Sequence, residues 1–220
     1  MKSLNQLLLD FDYEQNFKDD DFYVGKSNFY AFEMINKWPK WEKNFLNING
    51  EKFSGKTHLV NIFLKKFNGI KIDINSLNDE NLKSIKPYQN IVLEDLDLNI
   101  NEKLIYSLIN IIDQDNKFLI ITSIKPISEI NFQLEDLRSR TKNCLFANIQ
   151  NPDDELMFAL ILKNLSDRQI TLDKKLIDFI IKRIERSYGK IFEFIYKIDK
   201  ISLKKKKSID FKIINEALEE

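Results

Sequence analysis

Apolar residues recur along this chain in two rhythms, and the change between them falls near residue 151. Before that point, short apolar runs alternate with stretches of helical spacing. Phe29, Phe32, Met34 and Ile35 are spaced for a helix over about 27–37 that Pro39 ends, and residues 44–48 read as a short extended run. Trp38 and Trp41, flanking Pro39, read as packing residues near the start of that strand. A glycine-bounded loop follows. Leu59, Ile62, Phe63 and Phe67 then return to helical spacing, and Gly69 closes this helix before a second extended run, 70–74. Residues 91–93 predict a buried strand, 104–112 a helix, 118–121 another strand and 144–149 a fifth. Strands too uniformly apolar to alternate, separated by helices, imply right-handed crossovers and a largely parallel sheet covered on both faces. From Pro152 onward only the three-to-four spacing remains: Leu156, Ala159, Leu160 and Leu165, then Leu176, Phe179, Ile180 and Ile184, then Ile191, Phe194, Ile195 and Ile198. The expected organisation is a polar, acidic tail over 1–20, an α/β domain over 21–150 and an all-helical domain over 151–220.

Composition narrows the chemistry. With 220 residues, 43% of them hydrophobic and 17 of them Phe, the chain can bury a real core. Thirty-four basic residues balance thirty-four acidic ones, which removes the global positive field of a typical nucleic-acid binder and leaves only local patches such as Lys204–Lys207. That run reads first as a solvated turn between helices, and otherwise as a weak phosphate contact. A single cysteine, Cys144, and a single histidine, His58, exclude an internal disulfide and cysteine- or histidine-based zinc chemistry. No apolar stretch approaches the roughly 18 residues of a membrane span. Asp10 and Asp12 follow Leu7–Leu9 too closely for a secretory signal. The expected location is the cytoplasm, with no membrane partner.

The strongest motif is Gly50-Glu51-Lys52-Phe53-Ser54-Gly55-Lys56-Thr57, a G-x-x-x-x-G-K-[ST] loop between a predicted strand and a predicted helix. Two of only five glycines bracket it. In such a loop, backbone N–H groups and the helix N-terminus cradle a β-phosphate, Lys56 adds charge and the Thr57 hydroxyl holds magnesium. Gly50, Ser54, Gly55, Lys56 and Thr57 are therefore candidate nucleotide ligands for ADP or ATP. His58 joins them, although it also reads simply as a helix-face residue beside the loop. The strand over 91–93 runs into Glu94 and Asp95, where an acid serves the magnesium shell and its neighbour orients water; Glu94 is taken for the metal and Asp95 for the water. Solvated acids at a strand end are the plainer alternative. The strand over 118–121 runs into Thr122-Ser123, hydroxyls placed to reach a γ-phosphate or the attacking water if this strand lies between the other two.

Two further signals concern partners. Arginine is nearly avoided, five against 29 lysines, and all five lie beyond residue 137. Arg140, in Asp136-Leu137-Arg138-Ser139-Arg140, has the planar, permanently charged fork suited to a neighbouring molecule's nucleotide; a surface pair with Glu135 or Asp136 is the alternative. Near the N-terminus, Gln6-Leu7-Leu8-Leu9-Asp10-Phe11 suits an extended peptide that drops Leu9 and Phe11 into a partner's pocket, or a segment packed on its own domain.

In this order these motifs resemble the AAA+ family and, more narrowly, the DnaA-related inactivators of the Hda/HdaA family. Ser54-Gly55-Lys56-Thr57-His58-Leu59 is similar to the DnaA-type loop, and Phe22-Tyr23-Val24-Gly25-Lys26-Ser27-Asn28 to the segment that contacts adenine, adding Val24 and Asn28 as cofactor residues. Gln6, Leu9 and Phe11 resemble the anchors of a sliding-clamp-binding motif. Residues 136–140 resemble an arginine-finger box, with the family wording favouring Arg140 over Arg138, and Pro152–Glu155 with Asp167–Gln169 resemble the start of a helical lid. The resemblance implies an AAA+ P-loop domain with a five-stranded parallel sheet and a small helical lid, binding ADP or ATP with Mg2+. It further implies two partners, the DNA polymerase sliding clamp through residues 6–11 and the AAA+ domain of DnaA, with DNA met only through the clamp and a homo-oligomer possible. Its implied task is to supply Arg140 in trans to DnaA-bound ATP and so limit initiation. The helical pattern runs to residue 220, where an initiator needs a further DNA-binding domain, which favours a regulator. Two departures bear on activity: Phe53 stands where the family has Gly, and Gly189-Lys190 stands about where AAA+ proteins carry a sensor arginine, with Lys190 a substitute point charge. The competing readings are a self-contained AAA+ ATPase of helicase-loader type and a non-catalytic clamp-binding module.

Overall fold

The computed structural model describes residues 22–96 and 101–219. Strands β1 (Phe45–Gly50), β2 (Ile70–Asp73), β3 (Asn90–Leu96), β4 (Phe118–Ser123) and β5 (Leu145–Ile149) form one parallel sheet in the order β2-β3-β4-β1-β5. Strand β1, interior to the sheet between β4 and β5, is buried at every position. Alternate residues of each strand serve opposite faces, as the pleat requires. Leu46, Ile48, Val92 and Ile120 pack with α1 (Phe29–Asn36) and α2 (Lys56–Lys66) through Ile35, Leu59 and Phe63. Phe45, Ile91, Leu93, Leu119 and Ile121 pack on the other face with α3 (Asp79–Ser84), α4 (Glu102–Gln114) and α5 (Glu135–Lys142). A separate core joins α6 (Asp154–Asp167), α7 (Lys174–Ile181), α8 (Tyr188–Lys205) and α9 (Phe211–Glu219) through Met157, Ile161, Ile180, Ile195 and Ile214. The expected α/β domain followed by a helical lid is the architecture found.

Several boundaries move for local reasons. The second strand stops at Asp73 because the Asp73 carboxylate accepts from Asn75 N (2.7 Å) and turns the chain into a 3-10 turn, Ile74–Ser76. The strands over 91–93 and 118–121 extend through Glu94–Leu96 and Thr122–Ser123, polar ends whose groups are bonded across the sheet. Helix α5 carries no strong period, since only Leu137 and Thr141 of its eight residues are buried. Trp38 and Trp41 pack against Phe63 and Phe118, and Trp41 Nε1 donates to Met34 O (2.7 Å). The lysine run closes α8, with Lys206 as its left-handed C-cap. Among the described residues no helix is long and apolar enough to cross a membrane.

Cys144 is buried at the start of β5, and burial pushes its thiol up to about 12. It is expected to resist alkylation at pH 8 in the native protein and to react at an ordinary rate once urea unfolds the chain. Because the folded pKa lies above the unfolded one, the thiol's contribution to stability is complete below about 8.5 and is lost as pH rises towards about 12. Equal labelling rates in native and unfolded protein would contradict this burial.

Candidate nucleotide-binding site

Strand β1 ends at Gly50, the loop rises over 51–54 and Gly55 caps α2 in the left-handed region at φ 91°. Both bracketing glycines are sterically required. A Cβ on Gly50 would meet Ser54 Oγ at 2.9 Å and Ile149 O at 3.0 Å, and one on Gly55 would meet Phe22 Cε2 at 3.1 Å. Gly55→Ala is therefore expected to cost about 1–2 kcal/mol in a urea melt, the ordinary penalty for a left-handed Cβ. Phe53 also sits at positive φ, 67°. Its ring stacks on Phe192 of α8 at 4.8 Å and 8°, and a contact of about 0.5–1.5 kcal/mol offsets a strain of about 1–2 kcal/mol. The departure at Phe53 thus becomes a contact with the lid and does not collapse the loop.

Lys56 lies beneath this loop, donating from Nζ to Gly50 O (2.9 Å) and Glu51 O (2.8 Å). Burial lowers its pKa from 10.5, opposed by the carboxylates of Asp95, Glu51 and Glu94. A cleft of about 580 Å³ opens between loop and lid, a size suited to a small ligand. Its apolar end is formed by Phe22, Tyr23, Leu156 and Leu160, with His58 meeting Phe22 edge-on at 5.3 Å. Ser54, Gly55, Lys56 and Thr57 line the phosphate end. Asn28 also lines the cleft and pins its rim, donating to Tyr23 O (2.9 Å) and accepting from Gly25 N (2.8 Å). Val24 lies at the rim segment but not in the lining.

The acidic pair is divided by a register shift between Leu93 and Leu96. Asp95, at φ 56°, lines the cleft, and its N–H donates to Thr122 Oγ1 (2.9 Å). Glu94 turns towards β2 and pairs with Lys71 at 3.0 Å, leaving Oε1 buried without a hydrogen-bond partner. Among the described residues no group of three His, Cys, Asp or Glu side chains could hold a metal. A magnesium ion here would lean on nucleotide phosphates, with Thr57 and the unpartnered Glu94 oxygen chemically fit to assist.

The expectation for the strand-tip hydroxyls is corrected by burial. Ser123 Oγ donates to Lys125 O (2.6 Å) and accepts from Asn47 Nδ2 (2.9 Å), while Thr122 holds Asp95, so neither lines the cleft. The next residue does: Ile124, 59% exposed, presents an apolar surface there. Lys190 likewise lies outside the lining, exposed and paired with Glu193 at 2.9 Å. Besides Phe192, the helix's own N-terminus meets the loop from α8. Glu51 accepts from Ser187 Oγ, from Tyr188 N (3.1 Å) and from Gly189 N (3.3 Å).

The two arginines of α5 are used differently. Arg138 is half-buried and donates from Nε and Nη2 to Phe132 O (3.2 and 2.6 Å). Arg140 is half-exposed, hydrogen-bonded to Asp113 and 5.6 Å over the Tyr106 ring, and does not line its own chain's cleft. Its ion pair is with Asp113, not with the Glu135 or Asp136 of the alternative reading. Gln6, Leu9 and Phe11 lie outside the described residues. Motif reading missed Ile124 and, from the lid, Lys163 and Asn164. Only the last group left a signal, the Asp153 cap that accepts from Leu156 N (2.9 Å) and aims α6 over the cleft.

No family model matches the sequence. The chain is similar to the chromosomal replication initiator protein DnaA of Thermoanaerobacter sp. (strain X514), 26% identical over 227 aligned positions covering 91% of this chain and 51% of that protein. It is also similar to DnaA of Helicobacter hepaticus, 28% identical over 78% of this chain and 42% of that protein. The chain thus spans about half the length of these relatives. Among solved structures, domain III of Thermotoga maritima DnaA superposes with TM-score 0.74 at 19% identity, over 92% of this chain and 95% of that one. AMPPCP-bound DnaA from Aquifex aeolicus gives 0.68 at 19%, over 83% and 65%. The Thermotoga maritima RuvB branch-migration motor gives 0.65 at 17%, over 89% and 69%. The structures share the fold, and the sequence similarity supports a relation to DnaA.

Proposed function

We propose that this DnaA-related AAA+ protein regulates replication initiation by acting on DnaA itself. It binds an adenine nucleotide, is tethered to the sliding clamp through Gln6, Leu9 and Phe11, and offers Arg140 in trans to the ATP of a DnaA molecule. The observation that carries the reading is a contrast between two sites. The cleft has a complete phosphate loop, but an apolar Ile124 at the strand tip, a Gly189 without side chain and a Lys190 turned to Glu193 leave its distal phosphate end poorly equipped for hydrolysis. Arg140 meanwhile stands half-exposed, held by a pair that a phosphate can replace. Magnesium, when bound, neutralises phosphate charge; Lys56 and the loop N–H groups of this chain bind and orient the nucleotide, and Asp95 stands where it can orient water.

The test is hydrolysis of radiolabelled ATP prebound to the cognate DnaA, with DNA-loaded clamp, in the presence of this protein. Acceleration that requires the clamp supports the reading, and none by the intact protein sinks it. The self-contained ATPase keeps one favourable observation, Asp95 held in the cleft by Thr122. It requires steady-state turnover that is lost in Asp95→Ala.

A further inference from the structure

We propose that Asp113 and Tyr106 are positioning residues that keep Arg140 withdrawn against its own domain, so that the arginine reaches a partner's phosphate only by exchange for the Asp113 carboxylate. The proposal rests on the trans role of Arg140 proposed above and adds a restraint on it. Arg140 stands in the last turn of α5, while Tyr106 and Asp113 lie about two turns apart on one face of α4. The Arg140 guanidinium lies 5.6 Å over the Tyr106 ring, and its Nη1 donates to Asp113. An arginine that serves another molecule's nucleotide has to present its fork outward. This one is folded back, with 37% of its side-chain surface exposed.

The carboxylate does not travel with the arginine. Asp113 Oδ1 accepts from Asn44 Nδ2 (3.2 Å), and Asn44 O accepts from Leu119 N (2.8 Å), which ties Asp113 to the sheet beside the start of β1. Helix α5 is held too. At the other end of α4, Glu102 accepts from Gln133 N (2.9 Å) and from Leu134 N (2.8 Å), and Leu134 is the N-cap of α5. With both helices clamped, Arg140 leaves by turning its own side chain. Its Nε and Nη2 make no hydrogen bond with the described residues, so it gives up one charge-assisted bond and the ring contact. A half-exposed pair of this kind is weak, and a phosphate that takes the planar fork with two bonds replaces it. Until then the paired fraction is withheld, and the apparent affinity for the partner is lowered in proportion.

The experiment follows hydrolysis of ATP prebound to DnaA, with DNA-loaded clamp, across a range of concentrations of the full chain. Asp113→Asn is expected to lower the half-saturating concentration by about two- to fivefold at an unchanged maximal rate, the range that a surface ion pair spans. Tyr106→Leu is expected to move it the same way, and Tyr106→Phe, which keeps the ring, to leave it unchanged. Asp115→Asn removes the same charge from a carboxylate that pairs with Lys117 at 3.9 Å, and is expected to change neither value. That control separates the Arg140 pair from a general loss of negative charge. Asp113→Ala carries the same expectation if the asparagine variant does not fold. An unchanged or raised half-saturating concentration in the Asp113 variants, a lowered maximal rate, or an equal fall in Asp115→Asn overturns this proposal alone. Stimulation by Arg140→Ala equal to that of the intact protein overturns the trans reading, and the proposal with it.

Discussion

Arg140→Ala is expected to abolish the acceleration of DnaA-bound ATP hydrolysis, a loss of about 10³-fold or more, since arginine fingers contribute about 10³–10⁵ in rate. The fold should hardly notice. Arg140 is half-exposed, and surface pairs of the kind it makes with Asp113 are worth under about 1 kcal/mol. Arg138→Ala is the contrasting variant. It removes two charge-assisted bonds from a half-buried carbonyl, Phe132 O, and is expected to cost about 1–3 kcal/mol in a urea melt while retaining stimulation per folded molecule. The pair of variants separates rate from stability in one helix. If Arg140→Ala stimulates as well as the intact protein, the trans role of Arg140 is wrong, whatever the clamp does.

Lys56→Ala is expected to weaken nucleotide binding by on the order of 10²-fold and to erase the rise in melting temperature that ADP confers on the intact protein. The ammonium is already gathered beneath the loop by Gly50 O and Glu51 O, so little reorganisation precedes phosphate contact. Its depressed pKa has a sign that can be checked. Between the folded value and 10.5 the unfolded chain holds more protons on this lysine than the folded one, so the burden of burying it is relieved as pH rises through that window. Nucleotide affinity moves oppositely, because the binding form is the ammonium. Calorimetry across the alkaline range should show affinity falling at a lower pH than an unperturbed lysine would give. An alanine variant that binds ADP normally would remove Lys56 from the site.

Motif spacing alone picked out Lys56, the five strands, the lid and the loop glycines, whereas the choice of Arg140 drew on the family resemblance as well. Those features are legible because they are local. A buried parallel strand must be apolar throughout, a lid helix must repeat its apolar face every three or four residues, and a tight phosphate loop must have glycine where a Cβ would collide. Helix α5 escaped because two buried residues in eight leave no period.

Roles at the sheet's upper edge depended on direction. Sequence placed Glu94, Asp95, Thr122 and Ser123 at strand ends. The register shift at Leu93/Leu96 then turned Asp95 into the cleft and Glu94 onto Lys71, and the network around Asn47 drew Ser123 inward. A shift of one position at a strand end sends a side chain to the opposite face, and no pattern of residue types records it. The bond between Glu51 and the first turn of α8 is of the same kind. Its partners are 136 to 138 positions apart, and only the packing of the lid over the loop makes them neighbours. Residue identity determined the fold and which chemical groups are available; long-range packing decided which of them face the nucleotide, because orientation is set by contacts between segments that the chain's local pattern does not encode.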